Sequence, residues 1–220
     1  PGEMGHTLYD IGFRVFSMSN NHTYDRGAAG IAATRAYWAA MPDDVGTCGL
    51  YTNAEHHPAD QPHSYDTEIA EYPEIAYQEV NGVRIAYLAY TEHTNGIPFL
   101  NGAEATEIYT SQTDVMKRQI RLARQQADLV VVSDHWGVED SHLVTDAQRA
   151  LAQQQVDWGA DVILGTHPHV VQNAEWLTGA NGNTTFVVDS LGNFINAQSS
   201  ADNTIGAILD VYFDKTTQPD

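Results

Sequence analysis

Three short segments carry side chains that can bind metal ions or transfer protons. The segment "SNNH" holds Asn21 and His22, "DHWGVE" holds His135, and "GTHPH" holds His167 and His169. Imidazole nitrogens and a carboxamide oxygen are suitable ligands for Zn, Mn, Fe, Co or Ni. They are not the thiolate ligands of a cysteine-rich structural zinc site. These residue types therefore favour a divalent-metal site with a proton-transferring histidine beside it.

Each segment taken alone also has a plainer interpretation. Asn21 could cap a helix, and a single histidine after a strand usually forms ordinary loop hydrogen bonds. The pair in "HPH" could be a rigid turn, although Pro168 fixes the backbone between His167 and His169 and alternate side chains of an extended segment point the same way. Three such segments in one chain favour the metal site.

Strands and helices alternate along the chain, and this alternation places the three segments. Apolar runs predict buried strands over residues 13–18, 128–133 and 161–165, and each run ends just before one of the segments. Binding sites of α/β folds lie at the carboxyl ends of the strands. If the three strands belong to one parallel set, the candidate side chains converge at one edge of the sheet.

The remaining elements complete an α/β pattern. An Asn81-Gly82 turn predicts a hairpin over 77–91, and Thr145 with Gln148 forms a capping box ahead of a helix that Gly159 ends. We expect helices over 26–41, 111–127 and 145–159, and further strands over 184–190 and 204–214. The longest irregular stretch, 42–76, is long enough to be a functional or partly ordered insertion.

The charge of the chain limits its partners. Asp and Glu number 29 against 10 Lys and Arg, which gives a net charge of −19. This balance argues against a nucleic-acid partner and against docking on anionic lipid, because both need clustered cations. It leaves either a solvated acidic surface or an affinity for cations. The single cysteine, Cys48, allows no intrachain disulfide and is typical of a buried filler.

Four blocks in this order, "SNNHTYDRG", "HWGVE", "GADVILGTHPHVVQ" and "DSLGNFI", resemble the CapA family of poly-γ-glutamate capsule biosynthesis proteins. That family is similar to the calcineurin-like metallophosphoesterases, and the resemblance runs from about residue 1 to about residue 213. It implies one domain over 1–220 with a layered α-β-β-α sandwich and two divalent metal ions, with Mn, Zn and Fe not distinguished. It also implies a capsule-biosynthesis role at the extracellular face of the bacterial cell envelope.

The resemblance assigns roles to individual residues. Asn21 would bind a metal through its carboxamide oxygen, and His22 would protonate the leaving group. His135 and His167 would bind the same metal as Asn21, whereas His169 would bind the other one.

The resemblance also implies what the chain lacks. Glu139 and Asn193 match blocks at the edge of the family's site, but the family's two acidic ligand blocks, which precede "NNH", have no match in this chain. Residues 1–13 match the helix leading into the strand before Asn21. We therefore expect a truncation that removes an N-terminal βαβ unit with any membrane anchor. We also expect the chain to be inactive or impaired as a hydrolase on its own.

Three functions remain open from the sequence. The first is a di-metal hydrolase that acts on a phosphoester or on poly-γ-glutamate, in a synthesis complex that the missing N-terminal region would anchor to the membrane. The second is a non-catalytic cell-surface protein that assembles, exports or binds the polymer. The third is an α/β domain with surface histidines and no site, and the sequence interpretation assigns such an ordinary loop role to His56, His57, His63 and His93.

Overall fold

The structure is a computed structural model that describes residues 2–52, 75–98, 100 and 102–215. Its helices are α1 (Gly2–Asp10), α2 (Gly27–Ala39), α3 (Thr113–Gln126) and α4 (Asp146–Trp158), with a 3-10 turn at Asp202–Thr204. Its strands are β1 (Val15–Ser17), β2 (Gly46–Cys48), β3 (Tyr51–Thr52), β4 (Ala76–Val80), β5 (Val83–Thr91), β6 (Ala105–Thr106), β7 (Leu129–His135), β8 (Val162–Thr166), β9 (Ala174–Thr178) and β10 (Thr184–Val188).

A six-stranded sheet in the order β4-β5-β7-β8-β10-β9 forms the centre of the fold. The four inner strands are parallel, and β4 and β9 pair antiparallel at the two edges. Helices α3 and α4 cover one face, where Leu88, Met116, Ile120, Val156 and Ile163 are almost fully buried. The β-branched composition of β7 and β8 suits strands that have neighbours on both sides.

The opposite face of the sheet carries a second, smaller layer. Strands β1 and β2 pair in parallel, and the ring of Phe16 in β1 packs 4.3 Å, centroid to centroid, from Trp38 of α2. Gly49, at φ +96°, follows β2, and a Cβ there would lie 3.0 Å from the Cβ of Ala89 in β5. Only glycine permits both this φ and this close approach. The layers therefore follow the expected α-β-β-α order.

An apolar groove of about 770 Å³ occupies the part of this face that β1 and β2 leave open. Side chains of Ile85, Val131 and Leu164 from the sheet line the groove together with Ile208 and Phe213 from the C-terminal segment. The strand predicted over 204–214 is wrong, since the sole bridge of these residues joins Gly206 to Gly192. An apolar, extended segment forms a strand only beside a partner backbone, and this one crosses the face of the sheet.

The turn and the helix caps that were predicted from local residue patterns are confirmed. Asn81 and Gly82 both have positive φ between β4 and β5, as a type I′ turn requires. The capping box of Thr145 and Gln148 starts α4, and Gly159 ends it in the left-handed conformation. Four strands are additions to the sequence interpretation: β2 and β3 lie within the predicted irregular stretch 42–76, and β6 and β9 were not expected. Residues 53–74 of that stretch lie outside the described residues.

Within the described ranges, no helix is both long enough and apolar enough to cross a membrane.

Candidate metal centre

Parallel pairing brings the ends of three strands to one edge of the sheet. The register sets Thr91 of β5 beside His135 of β7, and His135 beside Thr166 of β8. The residues that follow these strands, including His93 and His167, therefore gather at that edge. The expected convergence of the strand exits is confirmed for β7 and β8, and β5 adds a further exit.

The amide of Asn21 contacts His135 directly. Nε2 of His135 lies 3.0 Å from Oδ1 of Asn21, and Nδ1 of His135 lies 2.9 Å from the hydroxyl of Thr166. The amide nitrogen of Asn21 donates to Oδ1 of Asn95 over 3.1 Å, which turns the amide oxygen toward His135. Because Thr166 holds the far nitrogen of the ring, Nε2 is the atom that faces the site.

His167 lies at the centre of a group of histidine rings. Its centroid is 4.8 Å from that of His135, 5.0 Å from that of His93 and 6.3 Å from that of His169. The side chain is buried, and its Nδ1 has no hydrogen-bond partner among the residues that the structure describes. A buried imidazole nitrogen without a partner is costly, and it is explained if a ligand outside the protein chain binds it.

The backbone of "HPH" is not the extended segment that the sequence suggested. His167 has φ +97° and His169 has φ +62°, and the carbonyl of Pro168 accepts from the backbone N–H of Asp140 over 2.9 Å. Residues other than glycine rarely adopt such φ values, and residues with strained backbones of this kind cluster at functional sites. The two ring planes meet at 46°, and Nδ1 of His169 bonds to Oδ1 of Asn193 at 2.9 Å.

Burial keeps the imidazoles of His135 and His167 uncharged. Burial lowers the pKa of His135 to about 3, and the neighbouring rings of His167 and His93 contribute to this lowering. Burial and His93 also lower the pKa of His167, against the opposing charge of Glu139. A neutral imidazole with a free lone pair is the form that binds a metal ion.

His22 faces solvent beside this cluster. Its side chain is 65% exposed, and Nδ1 lies 2.8 Å from Oδ2 of Asp25. The amide nitrogen of Asn95 lies 3.4 Å from the same Nδ1, so Asn95 touches both Asn21 and His22. With Nδ1–H donating to Asp25, Nε2 of His22 is left to exchange a proton with a substrate.

The two residues predicted at the site edge have different positions. Asn193 orients His169 through the bond given above. Glu139 is exposed, and it acts on His167 only through its charge.

Two residues beside the site, Glu92 and Asn95, were not predicted from the sequence, and a third, His93, was assigned an ordinary loop role. His93 and Asn95 follow β5, and Glu92 accepts from the backbone N–H of Gly137 over 2.7 Å. The signal for them was available, because "TEHTN" follows an apolar strand just as the other segments do. The Asn81-Gly82 turn identifies 77–91 as a hairpin, but it says nothing about the residues that follow Thr91.

Glu107 was missed for another reason. Its side chain is 3% exposed, and Oε1 accepts from the backbone N–H of Asn20 over 2.8 Å. Burial raises its pKa to about 7. This carboxyl supports the turn that presents Asn21 and His22, although 87 residues separate it from Asn20. No local pattern signals such a contact.

The cluster offers three donor atoms of mixed type to one divalent ion. No group of three or more His, Cys, Asp or Glu side chains able to hold a metal ion occurs among residues 2–52, 75–98, 100 and 102–215. The available set is mixed: Nε2 of His135, the amide oxygen of Asn21 and the unbonded Nδ1 of His167. These donors suit Zn, Mn or Fe. His169 is not counted among them, because its Nδ1 bonds to Asn193.

Two solved structures share this fold. A hypothetical protein from Thermus thermophilus superposes with a TM-score of 0.51 at 19% identity, covering 86% of this chain and 57% of its own. The NAD nucleotidase NadN from Haemophilus influenzae superposes with a TM-score of 0.51 at 13% identity, covering 86% of this chain and 36% of its own. The chain therefore has the same α/β fold as these two proteins.

Sequence comparison identifies the family. The family described as "Bacterial capsule synthesis protein PGA_cap" matches residues 1–198, so this chain belongs to it. The PGA biosynthesis protein CapA of Bacillus subtilis (strain 168) is 32% identical over 208 residues, which are 94% of this chain and 49% of that protein. The capsule biosynthesis protein CapA of Bacillus anthracis is 35% identical over 195 residues, 84% of this chain and 41% of that protein. The chain spans half or less of the length of these relatives.

Proposed function

We propose that this chain supplies the amide and imidazole ligands of a divalent-metal hydrolase site used in poly-γ-glutamate capsule biosynthesis. The substrate is a phosphoester or the anionic polymer itself, and the protein works at the extracellular face of the cell envelope within a membrane-anchored synthesis complex. The family membership supports the capsule role. The contact between Asn21 and His135, beside the unbonded nitrogen of His167, supports the metal site.

The chemistry divides between the ion and the protein. A divalent ion, when bound, supplies Lewis-acid activation of water and of a phosphoryl or carbonyl oxygen. Asn21, His135 and His167 would hold it, and Thr166 keeps the ring of His135 in the binding orientation. Burial keeps both rings neutral, so His135 needs only to shift its proton from Nε2 to Nδ1, beside Thr166, and no net proton is released when an ion binds.

His22 is placed to act as the general acid. The carboxylate of Asp25 accepts from Nδ1–H and fixes the ring, so Nε2 can hold a proton for the leaving oxygen. The exposed position gives a substrate access to this nitrogen, whereas Asn21, on the preceding position, is buried. Serine and cysteine nucleophiles are not required in this scheme.

Metal uptake by the 220-residue chain tests the ligand set. Mn, Zn and Fe are titrated into the chain and into His135→Ala and His167→Ala, and bound metal is quantified after gel filtration. We expect uptake by the unmodified chain and loss of uptake in both variants. His6→Ala, an exposed histidine on α1, is the matched control and should bind like the unmodified chain. Absence of uptake of all three metals overturns the proposal.

Activity is tested in the protein as its host makes it. Phosphodiester and poly-γ-glutamate hydrolysis are measured together with capsule polymer, again with His135→Ala and His6→Ala. We expect His135→Ala to abolish hydrolysis and capsule, and His6→Ala to leave both unchanged. Normal capsule with His135→Ala contradicts the hydrolase role.

A second function is favoured by one observation, the lack of a three-member His, Cys, Asp or Glu group among the described residues. In that case the protein assembles, exports or binds the polymer without catalysis. His22→Ala separates the two functions, because a non-catalytic protein keeps full capsule formation after this change, whereas a hydrolase that uses His22 as its acid does not.

A further inference from the structure

A small pocket adjoins the turn that carries His22. Its volume is about 250 Å³, and its wall includes His22, Thr23, Arg26 and Thr34, with Ile31 and Leu50 as apolar members. Pockets for drug-sized ligands measure roughly 300–1,000 Å³. A pocket of this size therefore suits a single charged group or one monomer unit, and not a long stretch of polymer.

Arg26 is the one cationic side chain in the pocket wall. Its guanidinium has no ion pair or hydrogen bond to any residue that the structure describes, whereas Arg14, Arg35 and Arg124 pair with carboxylates. In a chain with a net charge of −19, an arginine without a carboxylate partner at the lip of a pocket is available for an external anion. A guanidinium binds a carboxylate or phosphate in a bidentate way.

Gly30 makes room for this arginine. A Cβ at Gly30 would lie 2.5 Å from the Cβ of Arg26, closer than real Cβ contacts allow. Gly30 also lines the pocket. Thus the bare backbone one turn into α2 leaves the space in which the stem of Arg26 lies along the wall.

We propose that this pocket is an oxyanion subsite, in which Arg26 binds a carboxylate or phosphate group of the substrate while the bond to be cleaved lies near His22. The inference rests on the proposed function, because it places an anionic substrate at the same turn. The geometry supports it: His22 and Arg26 line one pocket, and His22 reaches the Asn21 amide through Asn95. A locally cationic group also offsets the repulsion that a polyanion meets from the rest of the chain.

Binding of two oxyanion probes to the 220-residue chain tests the subsite. A γ-linked glutamate trimer and inorganic phosphate are each titrated into the metal-free chain, into Arg26→Gln and into Arg121→Gln. Arg121, on α3, is exposed, lies outside the pocket and likewise has no carboxylate partner within the described residues, so its substitution controls for the loss of one positive charge. We expect Arg26→Gln to weaken binding about tenfold or more, and Arg121→Gln to leave it unchanged.

The two probes distinguish the sources of the anion. Loss of trimer binding alone assigns the subsite to the polymer carboxylates, loss of phosphate binding alone assigns it to a phosphoester, and loss of both supports a general oxyanion subsite. Equal binding by Arg26→Gln and the unmodified chain, or no binding of either probe by the unmodified chain, overturns the proposal.

A second variant keeps the charge and removes the space. Gly30→Ala should displace Arg26 and weaken probe binding in the same way, with the helical circular dichroism signal retained because alanine favours a helix. Metal uptake measured on the same samples separates this inference from the proposed function. Loss of probe binding with normal uptake supports the subsite, whereas probe binding without any metal uptake supports the subsite and contradicts the hydrolase.

Discussion

Oδ1 of Asn21 lies 3.0 Å from Nε2 of His135, although 114 residues separate the two in the sequence. The contact joins the turn after β1, in the smaller layer, to the end of β7, in the large sheet. It is a direct approach between two residues that the sequence assigns to one metal ion. The position of the smaller layer therefore decides whether the site forms.

Replacing Asn21 with alanine should weaken both the site and the fold. The side chain is buried and bonds to His135 and Asn95, so Asn21→Ala leaves polar groups of both partners unpaired. We expect the free energy of unfolding to fall by about 1–3 kcal/mol and metal uptake to be lost. Urea denaturation and metal titration measure the two effects. Asn173→Ala, an exposed asparagine after β8, should change neither, and unaltered metal uptake by Asn21→Ala would contradict the assignment.

Glu107 should make stability depend on pH. Its pKa is raised to about 7 in the folded chain from 4.5, so the folded state binds the proton more tightly than the unfolded state does. Its contribution is then complete below about pH 4.5 and is lost as the pH rises through 7. Glu107→Gln keeps the oxygen that accepts from Asn20 and carries no charge. We expect it to raise the free energy of unfolding at pH 8 by up to roughly 3 kcal/mol, with little change at pH 4.5.

Urea denaturation at the two pH values measures this difference. Glu79→Gln, on the exposed end of β4, is the matched control and should behave like the unmodified chain at both. Equal effects of Glu107→Gln at pH 4.5 and pH 8 would show that the carboxyl does not change its protonation on folding in this range.

Local signals predicted most of the fold. Thr145 and Gln148 mark the start of α4, and Asn81 with Gly82 marks the hairpin, because caps and turns depend on a few neighbouring residues. The strand predicted over 204–214 was wrong because the apolar pattern of these residues does not say whether a partner strand lies beside them. Strand formation depends on distant backbone, and the pattern within a segment carries no record of that backbone.

The part of the candidate site that lies at the ends of strands could be predicted from the sequence. His135 ends β7 and His167 follows β8, and parallel pairing brings them together as expected. The positive φ of His167 and His169 was not predictable, since the backbone of a loop is set by contacts such as Asp140 to Pro168. From that conformation His169 bonds to Asn193, with its ring centroid 6.3 Å from that of His167.

The pair of His22 and Asp25 should control catalysis without affecting metal binding. In the protein as its host makes it, His22→Ala removes the proposed acid, and we expect kcat for phosphodiester hydrolysis to fall about a hundredfold or more. Asp25→Asn keeps the ring but removes the carboxylate that accepts from Nδ1, so its loss should be smaller. Metal uptake should be normal in both. A larger loss in Asp25→Asn than in His22→Ala would contradict these roles.

Asn193 should hold His169 against the loop formed by residues 196–204. Its Oδ1 bonds to Nδ1 of His169, and its amide nitrogen donates to Oε1 of Gln198 and to the carbonyl of Asn203. We expect Asn193→Ala to lower the free energy of unfolding by about 1 kcal/mol. It should also speed amide hydrogen exchange over residues 196–204, while exchange in β7 and β8 stays slow because those strands are buried in the sheet. Asn196→Ala, which removes its bonds with the carbonyl of Asn203 and the backbone N–H of Gln198 but none to His169, is the matched control. Faster exchange in the loop with both variants, but a changed His169 ring signal in NMR spectra with Asn193→Ala alone, is the expected pattern. An unmoved His169 signal in Asn193→Ala would show that another group orients the ring.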